Sequence, residues 1–382
     1  MLIRRQSTVA KTRAIRAALA NPNLDAIPRY ATASRETGST QTICLASNEN
    51  PYGASPRVKS ALQAELHRLE RYPDPEVAEL RQDLARHMDL PDAQVLVGNG
   101  ATELIDLVSR AFLRPGDNTV HADPSFVMFQ ISPATMGVKS RGVPLRDDGG
   151  FDIDGLLGRV DGRTKLLFVA NPNNPTGCHM TRSEMDRLVR FLPDHVVLVL
   201  DEAYREYVVA TDCPDGLRYL ARRQRLIVMR TFSKAFGLAG LRIGYLATHP
   251  ELITSLRRAS RPFSVSSLAQ SAARAALTDR AHIVRSRQNN RIELERITER
   301  LDDLGCRVRP SQANFVLVDF CLDAAPVVEA LADRGIQIRS MLPYQLPTCG
   351  RITVGTHSQN EALIRSLADI LPEISSKIRP AA

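Results

Sequence analysis

The sequence predicts an α/β fold, a mostly parallel sheet sandwiched by helices, followed by a smaller α+β unit. Three observations carry that prediction. From about residue 93, short apolar runs alternate with helical patterns, the arrangement that builds βαβ units. The runs are continuously aliphatic rather than alternating, as strands buried on both faces are. Past residue 280 the texture changes to a long charged helical pattern with short strand-like runs behind it.

The elements follow in order. Gln94–Val97 leads into Gly98-Asn99-Gly100 and the amphipathic stretch Ala101–Phe112. Lys165–Ala170 ends at Asn171-Pro172, the aliphatic run Val196–Leu200 ends at Asp201, and Leu226–Met229 stops short of Thr231. Then come the helix pattern Ile283–Leu304, the strand-like Asn314–Phe320, and the helix pattern Ala325–Arg334 with Gly335 as its C-cap. Ile336–Arg339 and Arg351–Val354 read as strands, and Glu361–Leu371 closes the chain as a helix. This divides the chain into an N-terminal arm and lid (1–45), a large domain (46–280) and a small domain (281–382). In open parallel sheets ligands lie beyond the carboxyl ends of the strands, so chemistry is sought after each run.

Composition narrows the function. The 382 residues suit two domains, and 43% hydrophobic with 24% charged residues describes a soluble globular protein. No apolar run approaches the roughly 20 residues that span a bilayer. Six cysteines without a C-x-x-C pair exclude a zinc ribbon and suggest reduced thiols in a cytoplasmic protein. The eight histidines show no H-E-x-x-H spacing, so no metal is expected. The net charge of +8 is concentrated in the arm, where Arg4, Arg5, Lys11, Arg13, Arg16, Arg29 and Arg35 face Asp25 alone among residues 1–35. The body is close to neutral, and no finger, RNA-recognition signature or heptad repeat points to nucleic acid. Met1–Ala20, rich in Arg, Ser, Thr and Ala and free of acid, has the composition of an organelle-targeting segment. It equally suits a solvated amphipathic helix, with Ile15, Ala18 and Leu19 on one face.

The residues after the strands suggest one chemistry. Gly98-Asn99-Gly100 before a helix can cradle a phosphate on free N–H groups. A carboxylate at Asp201, at the mouth of a buried strand, costs desolvation unless something cationic meets it. Lys234 follows a strand in the corresponding position and is a suitable nucleophile for an aldehyde, forming a Schiff base. A carboxylate facing a cation suits the pyridinium nitrogen of pyridoxal phosphate. Thr231, Ser233 and Arg242 could share the phosphate dianion.

The whole set of motifs resembles the class I/II (fold type I) aminotransferases, and among them the histidinol-phosphate aminotransferase branch. The resemblance runs from about Leu45 to the last helix. It rests on Ser47-Asn48-Glu49-Asn50-Pro51-Tyr52-Gly53, Tyr72-Pro73-Asp74-Pro75, Gly98-Asn99-Gly100-Ala101-Thr102-Glu103-Leu104 and Asn173-Asn174-Pro175-Thr176-Gly177. It continues through Asp201-Glu202-Ala203-Tyr204, Ser233-Lys234-Ala235-Phe236, Gly240-Leu241-Arg242, Ala313-Asn314-Phe315 and Arg351-Ile352-Thr353-Val354-Gly355. The resemblance implies pyridoxal 5′-phosphate as cofactor, with Lys234 holding its aldehyde and then moving the proton between substrate Cα and cofactor C4′. Asp201 would pair with the ring nitrogen. Asn174 and Tyr204 would bond the ring 3′-oxygen, and Phe126 would stack on the ring. Ala101, Thr102, Ser233 and Arg242 would bind the phosphate, with Thr231 helping. Tyr52 would reach across a homodimer interface to the partner's phosphate. Tyr30, Asn50, Asn174, Arg339 and Arg351 would contact substrate, Arg351 clamping the α-carboxylate with its planar fork.

The departures concern substrate. The branch often carries a Pro-x-Tyr-x-Pro-Gly-Lys-like segment, and here Ile27–Ser34 keeps Tyr30 but lacks the Pro-Gly-Lys portion. Arg339 matches an arginine that binds the phosphate of histidinol phosphate, and aromatic amino-acid aminotransferases keep an arginine there too. The expectation is amino transfer from histidinol phosphate to 2-oxoglutarate. An aromatic donor, a decarboxylase or lyase on the same scaffold, and a non-enzymatic binding module are the alternatives, the last opposed by the intact Lys234, Asp201 and Arg351.

Overall fold

The computed structural model describes Asn23, Ile27 and residues 42–378. Tyr30, its neighbours through Ser34 and the amphipathic pattern around Ile15 lie outside the described residues. The strands, in chain order, are β1 (Ile43–Cys44), β2 (Val95–Gly98), β3 (Asn118–Asp123), β4 (Lys139–Pro144), β5 (Thr164–Ala170), β6 (Val197–Asp201) and β7 (Leu226–Thr231). They continue with β8 (Gly244–Thr248), β9 (Arg307–Val308), β10 (Phe315–Asp319), β11 (Ile336–Gln337), β12 (Arg339–Ser340) and β13 (Cys349–Thr353).

The main sheet has seven strands in the order β2-β8-β7-β6-β5-β3-β4. All neighbours are parallel except around β8, which runs against both β2 and β7. Its central strands are aliphatic throughout because both faces are covered. Leu167, Val169, Leu198, Leu200 and Val228 pack into one cluster. The alternate residues Leu166, Phe168, Val197, Val199 and Ile227 pack into another on the opposite face. A buried side chain of this size contributes about 1.5–3 kcal/mol by leaving water. Register then sets the site: Asp201 pairs with Ala170 on β5 and Met229 on β7, so three strand ends finish side by side.

A second sheet, antiparallel in the order β12-β13-β10-β9, packs under the helices Arg280–Asp303, Ala324–Asp333 and His357–Ile378. The long helix begins at the boundary drawn near residue 280. Leu45 joins this second core, and β1 pairs with β11 in parallel, so the segment just before the large sheet packs on the C-terminal unit.

Several elements differ from the sequence expectation. The aliphatic reading has no signal for β3, whose Asn118, Thr119 and His121 are polar yet buried. Asn118 is satisfied there by Asp161 Oδ1 at 2.9 Å and by the Thr164 hydroxyl at 2.7 Å. The single run Ile336–Arg339 is two strands, β11 joined to β1 and β12 joined to β13. The last helix extends in both directions, from His357 to Ile378. No helix among the described residues is long and apolar enough to cross a membrane.

Candidate active site

Beyond the ends of β5, β6 and β7 lies a cleft closed on its far side by β12 and β13. One continuous wall carries Ala101, Thr102, Phe126, Asn174, Asp201, Tyr204, Thr231, Ser233, Lys234, Arg242, Arg339 and Arg351. Twelve residues drawn from the sequence thus meet in one place. Asn50 and Tyr52 stand outside it in the same chain. Asn50 Nδ2 donates to Ala235 O and Ser286 Oγ, both at 2.8 Å, and Tyr52 Oη donates to Asn289 Oδ1 at 3.0 Å.

Lys234 is half-buried, and its Nζ donates to Ser47 O at 3.1 Å. Burial and the Arg351 charge, opposed by Glu49 and reinforced by Arg242, push the amine down to about 7. Near neutral pH much of it is therefore unprotonated and nucleophilic. Asp201 is buried, and burial pushes its carboxyl up to about 7 despite a 3.0 Å hydrogen bond from the Ala203 N–H. The neighbouring Glu202 has a cation of its own in Arg230. Arg230 Nη2 and Nε reach Glu202 Oε2 at 2.7 and 3.0 Å, and the Gly216 N–H donates to Oε1 at 2.7 Å. Asp201 faces the cleft, where the Ala203 N–H and the Lys234 charge partly offset the cost of its burial.

Tyr204 is fixed by an edge-on contact with Phe315, centroids 5.2 Å apart, and its hydroxyl accepts from Asn48 Nδ2 at 3.0 Å. Burial pushes that phenol up to about 12. The Asn171–Gly177 loop is held to the segment before Phe126 by Asn173, which accepts from Ser125 Oγ at 2.7 Å and donates to Pro124 O at 3.0 Å. Arg351 Nη1 donates to Asn174 Oδ1 at 2.6 Å, and Nη2 donates to Ala46 O at 2.9 Å. Arg339 and Arg351 are register partners on β12 and β13. Like charges directly opposite across strands destabilise a sheet unless an anion joins them.

The end of the cleft opposite the arginine pair is shaped for a phosphate. Asn99 makes no side-chain cap on the helix Gly100–Phe112, and its first-turn residues Ala101 and Thr102 line the cleft, where helix N-terminal amides suit an anion. Gly100 has φ +79°, and a Cβ there would lie 2.6 Å from Arg242 Nη2, so only glycine admits the guanidinium. Thr231 Oγ1 donates to Ser233 Oγ at 3.0 Å, and Arg242 Nη1 donates to the same oxygen at 3.4 Å.

Asn48 is a site residue that received no role from the sequence. It adopts φ 54°, where asparagine is tolerated, and donates its N–H to Thr353 Oγ1 at 2.9 Å while its amide holds Tyr204. The signal available was its place in the Asn48-Glu49-Asn50-Pro51 turn.

An anion cradle, a buried carboxyl facing the cleft and a depressed lysine amine together fit the phosphate, the ring nitrogen and the aldehyde of pyridoxal phosphate. With the helix-sandwiched sheet they define a fold type I pyridoxal-phosphate enzyme. The chain belongs to the aminotransferase class I and II family, whose model matches residues 40–367. It is 44% identical over 339 residues to the histidinol-phosphate aminotransferase of Geobacillus thermodenitrificans, covering 89% of this chain and 93% of that one. Histidinol-phosphate aminotransferase 2 of Pseudomonas aeruginosa is 40% identical over 362 residues, covering 93% and 98%. The crystal structure of histidinol-phosphate aminotransferase from Sinorhizobium meliloti in complex with pyridoxal-5′-phosphate superposes with a TM-score of 0.86 at 30% identity, covering 93% of this chain and 98% of that one. The protein is an aminotransferase-type enzyme, and its cofactor is pyridoxal 5′-phosphate.

Proposed function

We propose that this aminotransferase takes its amino group from histidinol phosphate and passes it to 2-oxoglutarate, as a homodimer serving histidine biosynthesis in the cytoplasm. The observation that carries the donor is the arginine pair. Arg339 and Arg351 face one cleft from adjacent strand positions, and a dianionic ligand relieves their repulsion. Histidinol phosphate brings a phosphate dianion, and glutamate brings two carboxylates, so one pair of arginines serves both half-reactions. The relatives from Geobacillus and Pseudomonas carry the same assignment.

When bound, pyridoxal 5′-phosphate supplies an aldehyde for amines and an electron-withdrawing ring that takes up charge from Cα. The chain does the rest. Lys234 Nζ would hold the aldehyde and would move the proton at the substrate Cα. Asp201 keeps the ring nitrogen protonated. Asn174 and Tyr204 would hydrogen-bond the ring 3′-oxygen, and Phe126 would stack on the ring. Ala101, Thr102, Thr231, Ser233 and Arg242 hold the cofactor phosphate. Arg351 fixes the carboxylate of glutamate, and Arg339 takes the phosphate of the amino donor. Asn50 and Tyr30 border the substrate, and Tyr52 faces the cofactor phosphate of the second subunit.

Arg339→Gln tests the donor. Loss of a charge-assisted bond to a dianion costs on the order of 2 kcal/mol in kcat/KM, about thirtyfold. The loss is expected for histidinol phosphate and a much smaller one for phenylalanine. An equal loss for both donors would remove Arg339 from phosphate recognition.

A further inference from the structure

The turn after β1 is fastened to two cations of the cleft. Ala46 O accepts from Arg351 Nη2 at 2.9 Å, and Ser47 O accepts from Lys234 Nζ at 3.1 Å. The Asn48 side chain holds Tyr204, its carbonyl accepts from Asn314 Nδ2 at 3.1 Å, and Asn50 Nδ2 donates to Ala235 O at 2.8 Å. Glu49 stands between these two asparagines, so its backbone is fixed on both sides next to Lys234 and Ala235. The residue is half-buried and lines the cleft. The proposed reaction assigns it no role.

Charge makes that carboxylate informative. Among the described residues lining the cleft, the cations are Lys234, Arg242, Arg339 and Arg351, and the carboxylates are Asp201 and Glu49. On the proposed reading Asp201 serves the cofactor ring, which leaves Glu49 to meet a cation on the substrate. Of the two carboxylates, Glu49 acts more strongly on the Lys234 amine. An amine of ordinary basicity is an ammonium at neutral pH. The ammonium of an amino donor has to reach the place that Lys234 holds, past three arginines that repel it. A carboxylate beside Lys234 offsets that repulsion. It accepts several hydrogen bonds at once, so a neighbour within the chain does not close it to a ligand.

We propose that Glu49 receives the ammonium of the amino donor and holds it beside Lys234 while the arginines take the donor's anionic end. The contact belongs to the amine form of each substrate pair and has no counterpart in the oxo form, which carries no positive charge. The inference rests on the reading that glutamate and 2-oxoglutarate form one such pair.

The experiment compares wild type, Glu49→Gln and Glu49→Asp in separate half-reactions of the holoenzyme. Glutamate is mixed with the pyridoxal form and 2-oxoglutarate with the pyridoxamine form, each titrated to saturation. Glutarate, which has both carboxylates and no amine, is bound to the pyridoxal form as a competitor. Glu49→Gln is expected to raise the half-saturating concentration of glutamate about tenfold, the size of a lost charged hydrogen bond. For 2-oxoglutarate and glutarate that concentration stays level or falls, because a negative charge has left a site that binds dianions. Glu49→Asp keeps the charge on a shorter arm and lies between the two. If Glu49→Gln weakens amine and oxo acid alike, Glu49 is a structural member of the turn and the inference is overturned. A variant that changes neither overturns it too. Wild type that does not react with glutamate fails the reading of the glutamate pair, and histidinol phosphate with its oxo product then decides Glu49 by the same comparison.

Discussion

Arg351 Nη1 donates to Asn174 Oδ1 at 2.6 Å, which makes the proposed substrate contact and the proposed cofactor contact one unit. On the proposed reading, the amide that would flank the cofactor ring also aims the carboxylate clamp. Changes at the two positions are therefore expected to interact. Arg351→Lys loses the bidentate fork and lowers kcat/KM for glutamate by roughly ten- to hundredfold, in line with about 1.5–3 kcal/mol for a charged hydrogen bond. Asn174→Ala lowers it as well, and the double variant falls by less than the product of the two. A steady-state double-mutant cycle checks this, and strict additivity would separate the residues.

The depressed amine of Lys234 sets a pH dependence. Only the unprotonated amine attacks the cofactor aldehyde, so the rate of covalent cofactor uptake rises with pH through about 7. Stability follows the same group. An ordinary lysine in the unfolded chain binds its proton up to about 10.4. Between about 7 and that value the unfolded chain holds more protons than the fold, so the fold gains stability as pH rises across the window and has lost that gain below it. Lys234→Met is expected to raise the melting temperature of the cofactor-free protein at pH 6 more than at pH 10. A pH-independent difference would mean that the amine is not strained by its surroundings.

Asp201→Asn removes the carboxyl proposed to hold the ring-nitrogen proton while keeping the shape and the Ala203 contact. A large fall in kcat with the cofactor still bound is expected. An unchanged rate would make Asp201 a structural residue of the strand end.

Gly100→Ala places a methyl 2.6 Å from Arg242 Nη2 at a φ that L side chains avoid. The guanidinium must withdraw, and retention of pyridoxal 5′-phosphate should drop while pyridoxal binding, which needs no phosphate cradle, changes little. Equilibrium dialysis with the two compounds separates these effects.

Arg230→Met leaves Glu202 as an uncompensated charge in the core. Breaking a buried pair in this way costs about 3–5 kcal/mol, to be read from the denaturant midpoint. Replacing Glu202 and Arg230 together by apolar residues of similar volume should recover much of that loss.

The central strands and the cleft-lining residues at their ends were legible for the same reason. A strand buried on both faces must be aliphatic, so its end is marked wherever a functional polar residue follows, as Asp201 follows Leu200. β3 was illegible because its buried Asn118 is satisfied by partners distant in sequence, Asp161 and Thr164. The adjacency of Arg339 and Arg351 was hidden because it depends on the antiparallel register of β12 and β13. The destination of Arg230 was hidden likewise. Charge alone indicates that Asp201-Glu202 needs a cation, and only the fold decides which carboxylate receives it. Asn48 carried a turn signal but no sign of Tyr204, 156 positions away.

The most direct test of the donor assignment is a comparison of wild-type kcat/KM for histidinol phosphate, phenylalanine and tyrosine, with 2-oxoglutarate as acceptor and the keto product measured. A cleft with Arg339 and Arg351 side by side predicts that histidinol phosphate is the preferred donor. Turnover of phenylalanine or tyrosine without turnover of histidinol phosphate would contradict it and assign the enzyme to aromatic amino acids.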